Sequence, residues 1–476
     1  ACRVSSSLAC LFAMWRKRRC FGGNLKKLAV CASLLFLLLL YIRSPRNNKQ
    51  SSSDFGVKGG YWVTRRPGET WLEALPLDCD AVINGSTPDA VAAARKWSLD
   101  PASVLRDILE SHNRCSLYRD AFEFRANAAS ANEAANPIAY GILIYKDFVQ
   151  FIFMFSAFYH PQNEYCIALP SNSEDYFKLL VEELPRCFSN VHVLKVGQVE
   201  YGSHEIISAV HSCMKMLNGL EGNWTYFQYL SGVDLPLRTN LEMIRIFKQL
   251  NNSVNAEVIT LPNHRLGYKR ILGTSPLPLF KSSLSSLLPR AAVNVIVKDK
   301  VALAQLEFLK GTDIPDESFW ATVAGNPQAL PMPGGWNASG LLEAILERAS
   351  RHGNVASASE LLNKKCKRVP CILSYYISRY QQWTSSACFG KMAQLSCVFG
   401  IGDVPILLAQ PHLVAHKFYI DFEPAAFFCM IKELKRRTIV PNRDFNYGQY
   451  SELPEVELAR GMQIERITHP EWLRMM

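Results

Sequence analysis

The first fifty residues contain no Asp or Glu, although they hold ten Lys and Arg. The rest of the chain holds 42 residues of each sign, so the formal charge of +10 sits in one short segment. That distribution excludes a basic nucleic-acid-binding body. The chain also lacks G-x-G-x-x-G after its first strand, and G-x-x-x-x-G-K-[ST], H-E-x-x-H and G-x-S-x-G anywhere. Dinucleotide-dependent and P-loop chemistry therefore have no support in the sequence. With 49% hydrophobic and 20% charged residues, the composition is globular and not disordered. Its 476 residues suffice for two or three domains, or for one large domain with extensions.

What is present begins with an apolar run, Leu28 to Ile42. Arg16, Lys17, Arg18, Arg19, Lys26 and Lys27 precede it, and Arg43, Arg46 and Lys49 follow. As a helix this run reaches about 22 Å, short of the roughly 30 Å hydrocarbon core. Snorkelling of Lys27 and Arg43 lengthens the effective span. No small-x-small cleavage site follows, so a signal anchor with its positive end in the cytoplasm is expected over a cleaved signal peptide. Residues 1–27 then form a cytoplasmic tail, 28–42 the anchor and 43–75 a Ser-, Gly- and Pro-containing stem. The first methionine is Met14, and residues 1–13 are expected not to belong to the native product.

Ten of the fourteen cysteines follow the anchor: Cys79, Cys115, Cys166, Cys187, Cys213, Cys366, Cys371, Cys388, Cys397 and Cys429. An even, dispersed set after a secretory signal reads as disulfides. The spacings of Cys366/Cys371 and Cys388/Cys397 are loose for zinc, and no His motif accompanies them. The sequons at Asn84, Asn223, Asn251 and Asn337 are compatible with a lumenal location. Residues 76–136 contain helical stretches. Strands and helices then alternate, with strands at 141–147, 164–169, 191–196, 225–230 and 257–261 and helices at 148–159, 173–184, 204–217 and 240–250. This spacing predicts a mostly parallel sheet covered by helices, with ligands at the carboxyl ends of its strands.

Several ordered stretches carry a resemblance: NPIAYGILIYKD, HPQNEYCIALPSNSED, NWTYFQYLSGVDLPLRTNLEMIRIFKQL, IPDESFWAT and CVFGIGDVPILLAQPHLVAHKFYIDFEP. Together they resemble the core-2/I-branching β-1,6-N-acetylglucosaminyltransferase family, in order from about Cys79 to Cys429. The resemblance implies a Golgi membrane protein of single-pass type II topology. It implies an α/β fold of the glycosyltransferase A type (Rossmann-like), spanning 137–440, with 441–476 as a C-terminal tail. It also implies a UDP-sugar donor, a glycan or glycoprotein acceptor, inversion at the anomeric carbon, no metal and no other cofactor. A homodimer is one possible assembly.

On this resemblance Glu317 is the catalytic base, because direct displacement needs one carboxylate to take the acceptor hydroxyl's proton. Pro315, Asp316 and Glu317 equally suit the first turn of a helix. The strand at 225–230 is followed by SGVD, with Asp234 alone, a poor site for a divalent cation. Fixed cations are expected on the diphosphate instead. Lys417 matches the family's Lys, but the family's Arg is Gln394, which carries no charge, with Lys391 three residues earlier. Ile144 and Tyr201 match donor-pocket positions, whereas Pro170 replaces an acidic one. On the acceptor side Ile259 stands where the family has Glu. Tyr268, Lys269, Arg270 and Trp383 match acceptor positions. The implied disulfides are Cys79–Cys429, Cys115–Cys187, Cys166–Cys213 and Cys388–Cys397, and Cys366 and Cys371 have no family counterpart. Two alternatives stay open: another donor such as UDP-glucose or UDP-xylose, and a catalytically silent glycan-binding protein.

Overall fold

The computed structural model describes Val63 and residues 65–84, 87–272, 274–351, 375–383 and 385–473. All fall within one compact unit, Gly60–Met476. The anchor at 28–42 and the pair Cys366 and Cys371 lie outside the described residues. No helix among the described residues is long and apolar enough to cross a membrane.

The centre is a five-stranded sheet in the order β3-β2-β1-β4-β8. Its strands are β1 (Ala139–Leu143), β2 (Glu164–Pro170), β3 (Val191–Val196), β4 (Tyr226–Ser231) and β8 (Leu287–Pro289). β1 pairs in parallel with β2 and β4, and β2 with β3. β2 is buried almost throughout, the continuous apolar run that a sheet covered on both faces demands. Gly141 sits where a Cβ would meet the Phe227 ring at 2.5 Å, so β1 and β4 approach only because that side chain is missing.

The helices between these strands follow from their caps and periodicity. Asn240–Leu250 opens with a Thr239/Glu242 capping box, which reciprocally satisfies two orphan backbone donors. Phe148–Phe158 is buried around its whole circumference, as expected for a core helix. Within it Gln150 is fully engaged. Its Nε2 donates to the carbonyls of Gly232 and Phe418, both at 3.0 Å, and its Oε1 accepts from Ile420 N–H at 2.9 Å. One side chain thus clamps the turn after β4 to the segment 418–420.

Away from the main sheet, β5 (Asp234–Pro236), β12 (Val414–His416) and β9 (Arg379–Gln381) form a three-stranded sheet in that order. β10 (Lys391–Ala393) and β11 (Ser396–Val398) make a hairpin. β6 (Ile259–Thr260) pairs only with β7 (Phe280–Lys281). The segment 257–261, expected as a further strand of the parallel sheet, is therefore not one. The edge beside β4 is taken by β8, which pairs antiparallel.

The body also extends past both expected boundaries. Val63, Trp71, Leu72 and Leu75, within the expected stem, are buried. In the expected C-terminal tail, Tyr450 and Leu453 are buried, and the Tyr450 hydroxyl donates to the Pro411 carbonyl at 2.6 Å. Among the described residues four disulfides are formed: Cys79–Cys429, Cys115–Cys187, Cys166–Cys213 and Cys388–Cys397. The four sequon asparagines are all exposed.

Candidate active site

Glu317 closes a 3₁₀ turn, Pro315–Glu317, set up by a left-handed Ile314. Its carbonyl accepts from Ser282 N–H at 2.7 Å, and Asp313 N–H donates to the Arg265 carbonyl at 2.7 Å. These two backbone ties bring three separate stretches around one carboxylate. Arg265 Nη2 lies 3.0 Å from Glu317 Oε2 and Lys281 Nζ 3.6 Å from the same oxygen. Lys281 also faces Glu257 at 3.9 Å. The Glu317 side chain keeps 24% exposure, so it is braced by cations and still reachable.

The neighbouring Asp316 has a different environment. It is buried, and its Oδ1 has no hydrogen-bond partner. Burial, together with the charge of Glu317, pushes its carboxyl up to about 7. Burial likewise raises the Glu257 carboxyl against the pull of Lys281. Two adjacent acids therefore divide, one partly open and ion-paired, the other enclosed.

The small sheet supplies the opposite side. Its register sets Asp234, His416 and Gln381 abreast, with Arg379 two residues back on the same face of β9. Asp234 accepts from Ser231 N–H at 2.7 Å and contacts His416 Nδ1 at 2.7 Å. Burial works to raise its carboxyl, but His416 and Arg379 hold it below its ordinary value. Burial and Arg379 push the His416 imidazole down, so a neutral ring donating to a carboxylate is the consistent state. Asp234 thus has both oxygens committed within the protein. Lys417 follows directly. It is buried, its ammonium donates to the Ala393 carbonyl at 2.7 Å, and burial lowers its pKa.

The remaining sequence candidates spread more widely. Gln394 and Leu395 form the tip of the β10–β11 hairpin in left-handed conformations, and both are exposed. Lys391, in β10, lies over the Phe422 ring, 4.4 Å from its centroid. Ile144 is buried against Gly232. Tyr201 is 84% exposed, beside Gly202, whose backbone abuts Ile314. Lys269 Nζ covers the Tyr268 and Phe308 rings, and Arg270 is exposed. Trp383 is 54% exposed and so is not a buried anchor.

Three charged residues escaped the sequence reading. Glu257, two positions before Ile259, is the acid that enters the cluster. Arg265, and not Lys269 or Arg270, is the guanidinium on Glu317. The charges of Asp234 and Glu317 both raise the pKa of Arg379 against burial. A lone charge in an otherwise apolar stretch, as in EVITL and SYYISRY, was the available signal.

A partly exposed carboxylate held between two cations beside a mostly parallel sheet suits a transferase that deprotonates a hydroxyl. Residues 138–367 match the family model described as Core-2/I-Branching enzyme. The human β-1,3-galactosyl-O-glycosyl-glycoprotein β-1,6-N-acetylglucosaminyltransferase is 27% identical over 363 residues, 72% of this chain and 80% of that protein. The human N-acetyllactosaminide β-1,6-N-acetylglucosaminyl-transferase is 27% identical over 390 residues, covering 76% and 85%. A human protein named as probable β-1,3-galactosyl-O-glycosyl-glycoprotein β-1,6-N-acetylglucosaminyltransferase 7 is 26% identical over 436 residues, covering 85% and 90%. The class is that of the glycosyltransferases. Within it, residues 138–367 resemble the Core-2/I-branching enzymes, and the similarity to the named relatives extends over most of the chain.

Proposed function

We propose that the protein transfers N-acetylglucosamine from UDP-GlcNAc to the 6-hydroxyl of an O-glycan acceptor, with inversion and without a metal ion. The observation that carries this reading is Glu317, within ion-pair distance of Arg265 and Lys281 and still 24% exposed. Glu317 takes the acceptor's proton, and Lys417 faces the donor diphosphate. The full engagement of Asp234 by Ser231 and His416 supports metal independence, since it leaves that carboxylate no free oxygen. The fold is read as the glycosyltransferase A type. Location follows the resemblance and the basic-flanked run at 28–42: a type II Golgi membrane protein with a lumenal catalytic domain. Gln394 and Pro170 favour one second reading, the same reaction with UDP-glucose or UDP-xylose as donor.

UDP release in EDTA, across a panel of UDP-sugars with and without O-glycan acceptors, tests the reading. Acceptor-dependent release from UDP-GlcNAc is expected. Glu317→Gln should lower kcat by roughly 10²–10⁴-fold, the span of general-base catalysis, at unchanged Tm. Unchanged transfer by that variant refutes the assigned base.

A further inference from the structure

The cations around the cleft are unequally committed. Arg265 is held on Glu317 at 3.0 Å, and Lys281 lies between Glu317 and Glu257. Lys417 donates to the Ala393 carbonyl, and Lys391 lies on the Phe422 ring. Arg379 differs. Among the described residues it has no carboxylate within ion-pair distance. Its hydrogen bonds are two long ones, to Ser283 Oγ at 3.4 Å and Gln381 Oε1 at 3.5 Å. It remains partly exposed, and its other guanidinium donors have no hydrogen-bond partner among the described residues.

Its place is also specific. On β9 it shares a face with Gln381, which lies abreast of His416 and Asp234. On the other side its partner Ser283 follows Ser282, whose N–H holds the Glu317 carbonyl. Arg379 therefore bridges the turn after β4 and the base. In a sugar transfer by direct displacement the acceptor O–H proton passes to Glu317, and the acceptor oxygen bonds to C1. The C1–O bond breaks with its electron pair going to the β-phosphate oxygen. The departing nucleoside diphosphate gains one negative charge, which a fixed cation without a carboxylate partner stabilises.

We propose that Arg379 binds the diphosphate of the donor and takes up the charge that develops on it as the sugar leaves. This rests on the transferase reading above. Of the cations named, Arg379 is the one free to form a bidentate contact with phosphate oxygens.

The test compares the full chain with Arg379→Lys and Arg379→Gln, with Tm measured for each. Calorimetric titration uses uridine, UMP and UDP, and steady-state rates use the panel above. In Arg379→Gln, UDP affinity should fall about tenfold or more with uridine affinity unchanged. Its kcat should fall by about 10²-fold with acceptor KM unchanged, and Arg379→Lys should lie between. Equal weakening of uridine and UDP, or a rise confined to acceptor KM, overturns the proposal. If the wild type binds UDP but transfers to no acceptor, the transferase reading fails. The uridine-versus-UDP difference then still decides whether Arg379 holds the diphosphate. A wild type that binds neither uridine nor UDP overturns both.

Discussion

Residues 139–250 and 257–417 build the two walls of the cleft in different ways. In the first stretch, four strands alternate with helices in sequence and pair in parallel in the order β3-β2-β1-β4. In the second, strands of two or three residues form small separate sheets, β6 with β7 and β9 with β12, and β12 reaches back to β5 of the first stretch. The first wall is regular and apolar and contributes Ile144 and Tyr201. The second carries the charges: Glu257, Arg265, Lys281, Glu317, Arg379 and Lys417. Regular pairing satisfies the backbone and leaves side chains to the core. Short irregular segments leave polar side chains free to converge.

That contrast can be broken first where the walls are joined. Gln150→Leu removes partners from the carbonyls of Gly232 and Phe418 and from Ile420 N–H. A loss of about 3 kcal/mol or more is expected, since each buried unpaired group costs about 1–3 kcal/mol. Urea unfolding measures it, and a loss below 1 kcal/mol would mean that the walls hold together without this clamp. Next in size is Arg265→Gln, which should lower kcat by about tenfold or more with little change in UDP affinity. An effect on UDP affinity alone would move Arg265 to the donor side. Smallest is Tyr201→Ala on the regular wall. It should weaken UDP binding about tenfold, the scale of one base stacked on an aromatic ring, and leave kcat nearly unchanged. A fall in kcat equal to that of Arg265→Gln would erase the division between a binding wall and a reacting wall.

The same contrast governs what the sequence reveals. The strands at 164–170 and 191–196 and the helix at 240–250 are legible because periodicity and caps are local. Glu317 stands out through its motif, and the structure places it beside Arg265 and Lys281. The strand expected at 257–261 fails because a later segment, Leu287–Pro289, competes for the same edge. Glu257 and Arg265 are missed because the resemblance, followed residue by residue, points to Ile259, Lys269 and Arg270. Their roles depend on two backbone ties, Ser282 to Glu317 and Asp313 to Arg265, that no local pattern encodes. Arg379 is missed because a three-residue strand gives too short a window to read its facing.

The Cys79–Cys429 disulfide joins residues 350 positions apart, near the start of the packed body and within the helix Pro424–Ile439. Tension applied to the chain ahead of Cys79 has two routes through the body. One would peel the helices between Cys79 and Ala121 away in turn. The covalent tie offers the other, straight into a helix whose inner face is buried in the core. A pull from that end is therefore passed directly into that helix and the core packed around it.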